Sequence, residues 1–143
     1  MHIAPDGTVV LDAVRERRPR FVPAQVIAEY AELLKTYRIA EVHGDNHAGG
    51  FHSSEWATQG ITFRPFKDST SDNYLAALPS LLARRVKLLN NTTLRNQLTS
   101  LERTVGTGDR ETVSHPKHGG AHDDVATAVL WCDHGGVAGG ARA

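Results

Sequence analysis

The chain carries a single cysteine, Cys132, in 143 residues. An internal disulfide is therefore excluded. The apolar setting of Cys132 predicts a buried thiol, in keeping with a reducing compartment. No apolar run approaches the roughly 18 residues of a membrane span, and no signal peptide is visible, so no membrane partner is expected. An excess of one charge is missing too: sixteen basic residues offset sixteen acidic ones. Any nucleic-acid surface must then come from local clustering and not from net charge. A zinc site is a weak reading for His43, His47, His52, His115, His118 and His122. No cysteines accompany them and their spacings fit no zinc motif, which leaves polar loop histidines, some of them near phosphate.

What is present is ordinary globular composition, 40% apolar and 22% charged, in a length typical of one domain. "PDG" at Pro5 to Gly7 is a turn, so residues 2–15 read as a hairpin whose first strand is barely present. Pro23 suits the first turn of a helix with Val26, Ile27, Tyr30, Leu33, Leu34 and Tyr37 on its apolar face. Ile39–Gly44 reads as a strand ending at Asp45. "SSEWATQG" reads as a short helix with a serine N-cap, Glu55 in its first turn and Gly60 as its stop. "ITFRPF" is the next strand. Ser71 is placed to cap a helix bearing Tyr74, Leu75, Leu78, Leu81 and Leu82, in which Pro79 implies a kink or an earlier end. "RVKLL" follows as a strand with Val86 and Leu88 on one face. A helix then starts at Thr92 or Thr93 and runs through Leu94, Leu98 and Leu101. "RTVGTGDRETVSH" reads as a hairpin, which Pro116 ends. A last helix starts near Asp123 and turns Val125, Ala128, Val129 and Cys132 inward. Trp56 and Trp131 read as core aromatics. This alternation predicts an α/β protein, a mixed sheet flanked by helices, as a single domain over residues 1–134 with a flexible Gly-rich tail over 135–143.

Three aspartates stand out. Sites in open α/β sheets gather at the carboxyl ends of strands, and "AEVHGDNHAGG" delivers Asp45 there, although a turn cap is an equally ordinary role for it. In "GGAHDDVATAVLW" Asp123 and Asp124 are adjacent where a helix begins. One aspartate serves as cap and complements the helix dipole; a second repels the first unless a cation or water separates them. Mg²⁺ takes one or two protein carboxylates plus water and phosphate oxygens, and two ions about 3.5–4 Å apart clamp the attacking and leaving oxygens of a phosphodiester. Two basic runs, Arg15, Arg17, Arg18 and Arg20, and Arg84, Arg85 and Lys87, are solvated faces or phosphate contacts.

"VVLDAVRERRPRF", "EVHGDNHAGGF", "GITFRPF…STSDNYLAALPSLLARRVKLLNN" and "GGAHDDVATAVL", in that order, resemble the carboxyl-terminal nuclease domain of the large terminase subunit of tailed bacteriophages. The resemblance spans roughly residues 1–133 and rests on the order and spacing of these segments. It implies an RNase H-like fold, two divalent ions (Mg²⁺ or Mn²⁺) and cleavage of concatemeric double-stranded viral DNA in the cytoplasm of an infected or prophage-carrying bacterium. It also implies the family's partners: an ATPase domain, the small terminase subunit and the portal. By this resemblance Asp45, Asp123 and Asp124 are catalytic metal ligands, and His122 orients a ligand or a water. Arg84, Arg85, Lys87 and Arg110 are candidate DNA contacts, Arg110 on a "GTGDRE" loop that is either the hairpin approaching DNA or a plain surface turn. Two departures are expected to matter. The family's first-strand aspartate has no counterpart, since Asp6 falls in the turn and Asp12 on the second strand. The G-x-x-x-x-G-K-[ST] run of an ATPase is absent. The expectation is an isolated, slightly truncated nuclease domain with weak or absent cleavage. Its alternatives are an inactive remnant that binds DNA or protein, and a different RNase H-like enzyme such as a resolvase.

Overall fold

A computed structural model of the chain describes residues 1–45, 51–106, 111–114 and 124–131. In chain order the described elements are β1 (His2–Ile3), β2 (Val9–Val10), α1 (Pro23–Thr36), β3 (Glu41–Gly44), α2 (Phe51–Thr58), β4 (Thr62–Pro65), α3 (Thr70–Leu82), β5 (Val86–Lys87), α4 (Thr92–Ser100), β6 (Glu102–Val105), β7 (Glu111–Ser114) and α5 (Asp124–Trp131). Contacts gather these into two compact units: residues 1–14 with 68–131, and residues 15–67.

The first unit opens with the expected hairpin. β1 and β2 pair antiparallel, with Ile3 opposite Val9. Gly7 turns the corner at φ +81°, and the Asp6 carboxylate accepts the Thr8 N–H at 2.9 Å. That bond holds the Asp6 carboxyl below the ordinary aspartate value. β5 adds to β2 in parallel, Val86 opposite Val9, which makes a three-stranded mixed sheet. β6 and β7 form a separate antiparallel pair, as the sequence predicts, with an Arg103–Glu111 ion pair across it.

Two apolar clusters hold this unit. Leu11, Leu94, Val125, Ala126 and Val129 form one; Tyr74, Ala77 and Leu130 form the other, and the half-buried Leu98 packs against both. α5 therefore lies in both clusters. Its inward residues differ from the expected set: Ala126, Leu130 and Trp131 are buried beside Val125 and Val129, while Ala128 is exposed. Five of its eight residues are buried, so partners cover more than one stripe of it. Cys132 lies outside the described residues.

The caps also differ in detail. α3 is capped by Ser69, not Ser71: Ser69 Oγ accepts the Asp72 N–H at 3.2 Å, and its hydroxyl donates to Asp72 Oδ2 at 2.6 Å. Ser71 Oγ instead accepts the Val113 N–H at 2.9 Å, tying α3 to β7. Pro79 neither ends the helix nor stops its carbonyl from accepting the Ala83 N–H at 2.9 Å. Leu82 is the last residue of α3 and is 75% exposed, so it is not a core residue. Leu88 follows β5 and is also exposed. α4 begins at Thr92 as expected, with Asn91 Oδ1 accepting the Leu94 N–H at 2.9 Å.

In the second unit Pro23 is the first residue of α1. Ile27 and Ala31 are its buried positions; Tyr37, at the helix end, is exposed. α2 begins at Phe51, ahead of the serines, so Ser53, Ser54 and Glu55 are interior helical residues and not a cap and first turn. Gly60 does end that segment, at φ +74°, which is costly for any residue with a Cβ. Trp56 is half-buried. β3 and β4 pair in parallel, Glu41 opposite Thr62 through Gly44 opposite Pro65.

Candidate functional site

Asp45 follows β3 directly and is exposed. The carboxyl end of a parallel strand is where α/β proteins place ligand-facing groups, because the loop that follows is free to vary. The strand beneath it is tightly built. A Cβ on Gly44 would come 2.8 Å from Phe63 Cε2, so glycine lets the β4 phenyl ring lie against the β3 backbone. The ladder runs to the strand's last residue: the Phe66 N–H donates to the Gly44 carbonyl at 2.9 Å.

The opposite face of this strand pair is polar. Arg64 Nε donates to Glu41 Oε2 at 2.6 Å, and His43 Nε2 lies 3.1 Å from Glu41 Oε1. The His43 ring stacks obliquely on Phe66, centroids 5.5 Å apart. Arg64's hydrogen bond, foremost, holds the Glu41 carboxyl below the ordinary glutamate value, with His43 adding to it. A lowered folded-state pKa means that folding favours the ionised form. Its stabilisation is complete above the ordinary value and is lost as pH falls through the lowered one. Thermal melts at stepped pH should show an acid limb below about pH 4.5 that Glu41→Gln shallows. An identical limb in the variant would mean that the pair contributes nothing to folding.

Asp124 is the first residue of α5 and is exposed. Among the described residues its carboxylate makes no hydrogen bond or ion pair. One of the first N–H groups of this helix is met from outside it: Gln97 Oε1, on α4, accepts the N–H of the fully buried Ala126 at 2.9 Å. Sequence reasoning missed Gln97, since a side chain 29 positions away leaves no local signal. Gln97→Ala strands a buried donor, which costs about 1–3 kcal/mol. A melting temperature lowered by roughly 4–12 °C in calorimetry is the expected result. An unchanged melt would show that water replaces the amide there.

Asp123, His122 and Arg110 lie outside the described residues, as do His47, His115, His118 and Pro116. Asp45 belongs to the second unit and Asp124 to the first. No group of three or more His, Cys, Asp or Glu suited to one metal ion occurs among the described residues. Taken singly, Asp45 and Asp124 are exposed carboxylates, the hard oxygen donors that Mg²⁺ takes. Asp6 and Asp12 are engaged elsewhere, Asp6 with the Thr8 N–H and Asp12 Oδ1 with His2 Nδ1 at 2.8 Å.

Arg84, Arg85 and Lys87 are exposed around the α3–β5 turn, where Arg84 takes the left-handed φ of +54° usual for glycine after a helix. None of the three makes a salt bridge among the described residues, although Lys87 lies near enough to Asp6 to help lower its carboxyl's pKa. In the other basic run Arg17 is spent on Glu29, while Arg18 and Arg20 line an open groove with Phe21, Val22 and Gln25 at the start of α1. No helix of the described residues is long and apolar enough to cross a membrane.

The fold is mixed α/β of the RNase H-like class. Its likeness in fold is to solved terminase nuclease structures. The chain is similar to the crystal structure of the large terminase nuclease from thermophilic phage G20c, at 23% identity and a TM-score of 0.61, over 80% of this chain and 63% of that one. Structures of the same nuclease with bound cobalt and with bound magnesium match at 22% identity, with TM-scores of 0.58 and 0.57, over 77% of this chain and 60% of theirs. The chain thus spans less than two thirds of the length of these structures. No family model matches the chain, and no curated protein sequence does.

Proposed function

We propose that the chain is a divalent-metal-dependent endodeoxyribonuclease domain of terminase type, acting on double-stranded DNA. The observation that carries this reading is the terminase nuclease-like fold together with an exposed carboxylate, Asp45, directly after its parallel strand β3. On this reading Asp45, Asp123 and Asp124 converge to hold Mg²⁺ or Mn²⁺, and His122 orients a ligand or a water beside the acidic pair. When bound, the metal supplies Lewis-acid stabilisation of charge on the phosphate during hydrolysis. The chain's own part is to set the carboxylates and to bind the duplex. Arg84, Arg85, Lys87 and Arg110 contact backbone phosphates, a sequence-independent attraction that weakens with salt. Packaging partners, an ATPase domain, a small terminase subunit and a portal, belong to the same proposal.

The test is nicking of supercoiled plasmid by the purified chain in millimolar Mn²⁺, with and without a chelator. Chelator-sensitive nicking supports the reading. A chain that retards DNA yet never nicks it would be a binding module and not a nuclease.

A further inference from the structure

We propose that Arg64 contacts a phosphate oxygen of the DNA substrate beside Asp45, its guanidinium held ready for that contact by Glu41; this rests on the nuclease reading above. The guanidinium has five N–H donors, and only Nε–H is engaged, by Glu41 Oε2. The terminal fork makes no hydrogen bond among the described residues, and the side chain is 60% exposed. A pair made for stability alone at such a surface contributes little, and the forked, two-bond geometry that strengthens arginine–carboxylate pairs is not used here. Glu41 is fixed from both sides, since its other oxygen faces His43 Nε2, and His43 rests on Phe66. The carboxylate therefore restrains the arginine stem and leaves the fork free.

Register then sets the position. Arg64 lies opposite His43, and Asp45 follows His43 by two residues, the spacing that returns to the same face of an extended strand. Strand spacing and rise put the Arg64 and Asp45 Cα atoms about 8 Å apart, within reach of one phosphate group between their side chains. On β4 the alternate position, Phe63, meets His52 of α2, at 6.3 Å between ring centroids, so α2 lies against the other face, while Arg64 and Glu41 on this one are exposed. A planar fork beside an acid that holds a metal matches the oxygens of a phosphodiester.

The experiment uses the full chain and two readouts. In Ca²⁺, anisotropy of a fluorescent duplex at stepped salt should show that Arg64→Ala lowers the slope of log affinity against log salt by about 0.9, one phosphate contact. In Mn²⁺, single-turnover cleavage should fall about 10–100-fold in Arg64→Ala. Arg64→Lys should restore the slope but not the rate, because a point charge lacks the fork. Glu41→Gln should keep the slope and lower the rate. Melting temperatures at neutral pH should fall only slightly, by the small amount an exposed ion pair contributes. An unchanged salt slope in Arg64→Ala, or a duplex that the wild-type chain does not bind, overturns the proposal. Arg64-dependent binding of polyglutamate without Arg64-dependent DNA binding would reassign the residue to an acidic protein partner and overturn it equally. If the wild-type chain binds DNA without cutting, the nuclease reading fails, and the salt slope alone decides Arg64.

Discussion

Asp45→Asn and Asp124→Asn are each expected to lower Mn²⁺-dependent nicking by at least about a hundredfold. An outer partner that merely orients a metal ligand is worth about 10–100-fold, so the loss of a carboxylate on the metal itself starts at the upper end of that range. Asparagine keeps the size and one carbonyl oxygen of each side chain, but gives up the charge that a hard cation needs. Both aspartates are exposed, so the fold should survive. Asp124→Asn also loses the favourable interaction with the α5 dipole, about 0.3–1 kcal/mol, which is too little to unfold the chain. Calorimetric titration with Mn²⁺ supplies a second readout, in which both variants should bind more weakly. Comparison with Asp123→Asn identifies the primary ligand of the adjacent pair. Either variant nicking at the wild-type rate would remove that residue from the metal site.

The structure adds one detail to the start of α5 that the sequence does not show. Sequence alone leaves two aspartates at a helix start with one obvious task between them. Gln97 takes a share of that task through the Ala126 N–H, and the Asp124 carboxylate makes no bond to described residues. One of the first N–H groups of α5 is thus met from another helix, 29 residues away in sequence.

Other features were legible for local reasons. Pro23 and Gly60 constrain φ directly, so the start of α1 and the stop of α2 could be placed from the residues themselves. Both hairpins followed from glycine and proline between β-rich runs. What failed depended on partners. Ser69 and Ser71 are chemically identical candidates for the α3 cap, and it is β7, through the Val113 N–H, that claims Ser71. Ala128 satisfies helical spacing with Val125, but α5 is buried on the side of Leu130 and Trp131 instead. The Glu41–Arg64 pair was out of reach because nothing local in "EVHGD" or "ITFRPF" states which residues stand opposite each other. Register appears only once β3 and β4 are paired.

The largest stability loss is expected from Leu94→Ala. Leu94 is 1% exposed and packs with Leu11, Val125, Ala126 and Val129. Truncating a buried leucine removes its transfer free energy and leaves a cavity, together about 2–5 kcal/mol. Against a total stability of roughly 5–15 kcal/mol, that is a large share. At about 4 °C per kcal/mol for a chain of this size, the melting temperature should fall by roughly 8–20 °C. Leu82→Ala is the matched control. At 75% exposure that leucine contributes little, and its loss should change stability by no more than about 0.5 kcal/mol. Equal melts for the two variants would place the core elsewhere. The consequence also reaches the candidate site, because the residues that surround Leu94 include the first inward turn of α5, which begins at Asp124. A loosened cluster leaves the carboxylate chemically intact and poorly held. Leu94→Ala should therefore lose Mn²⁺ affinity on warming well before it unfolds, whereas Asp124→Asn should bind weakly at every temperature.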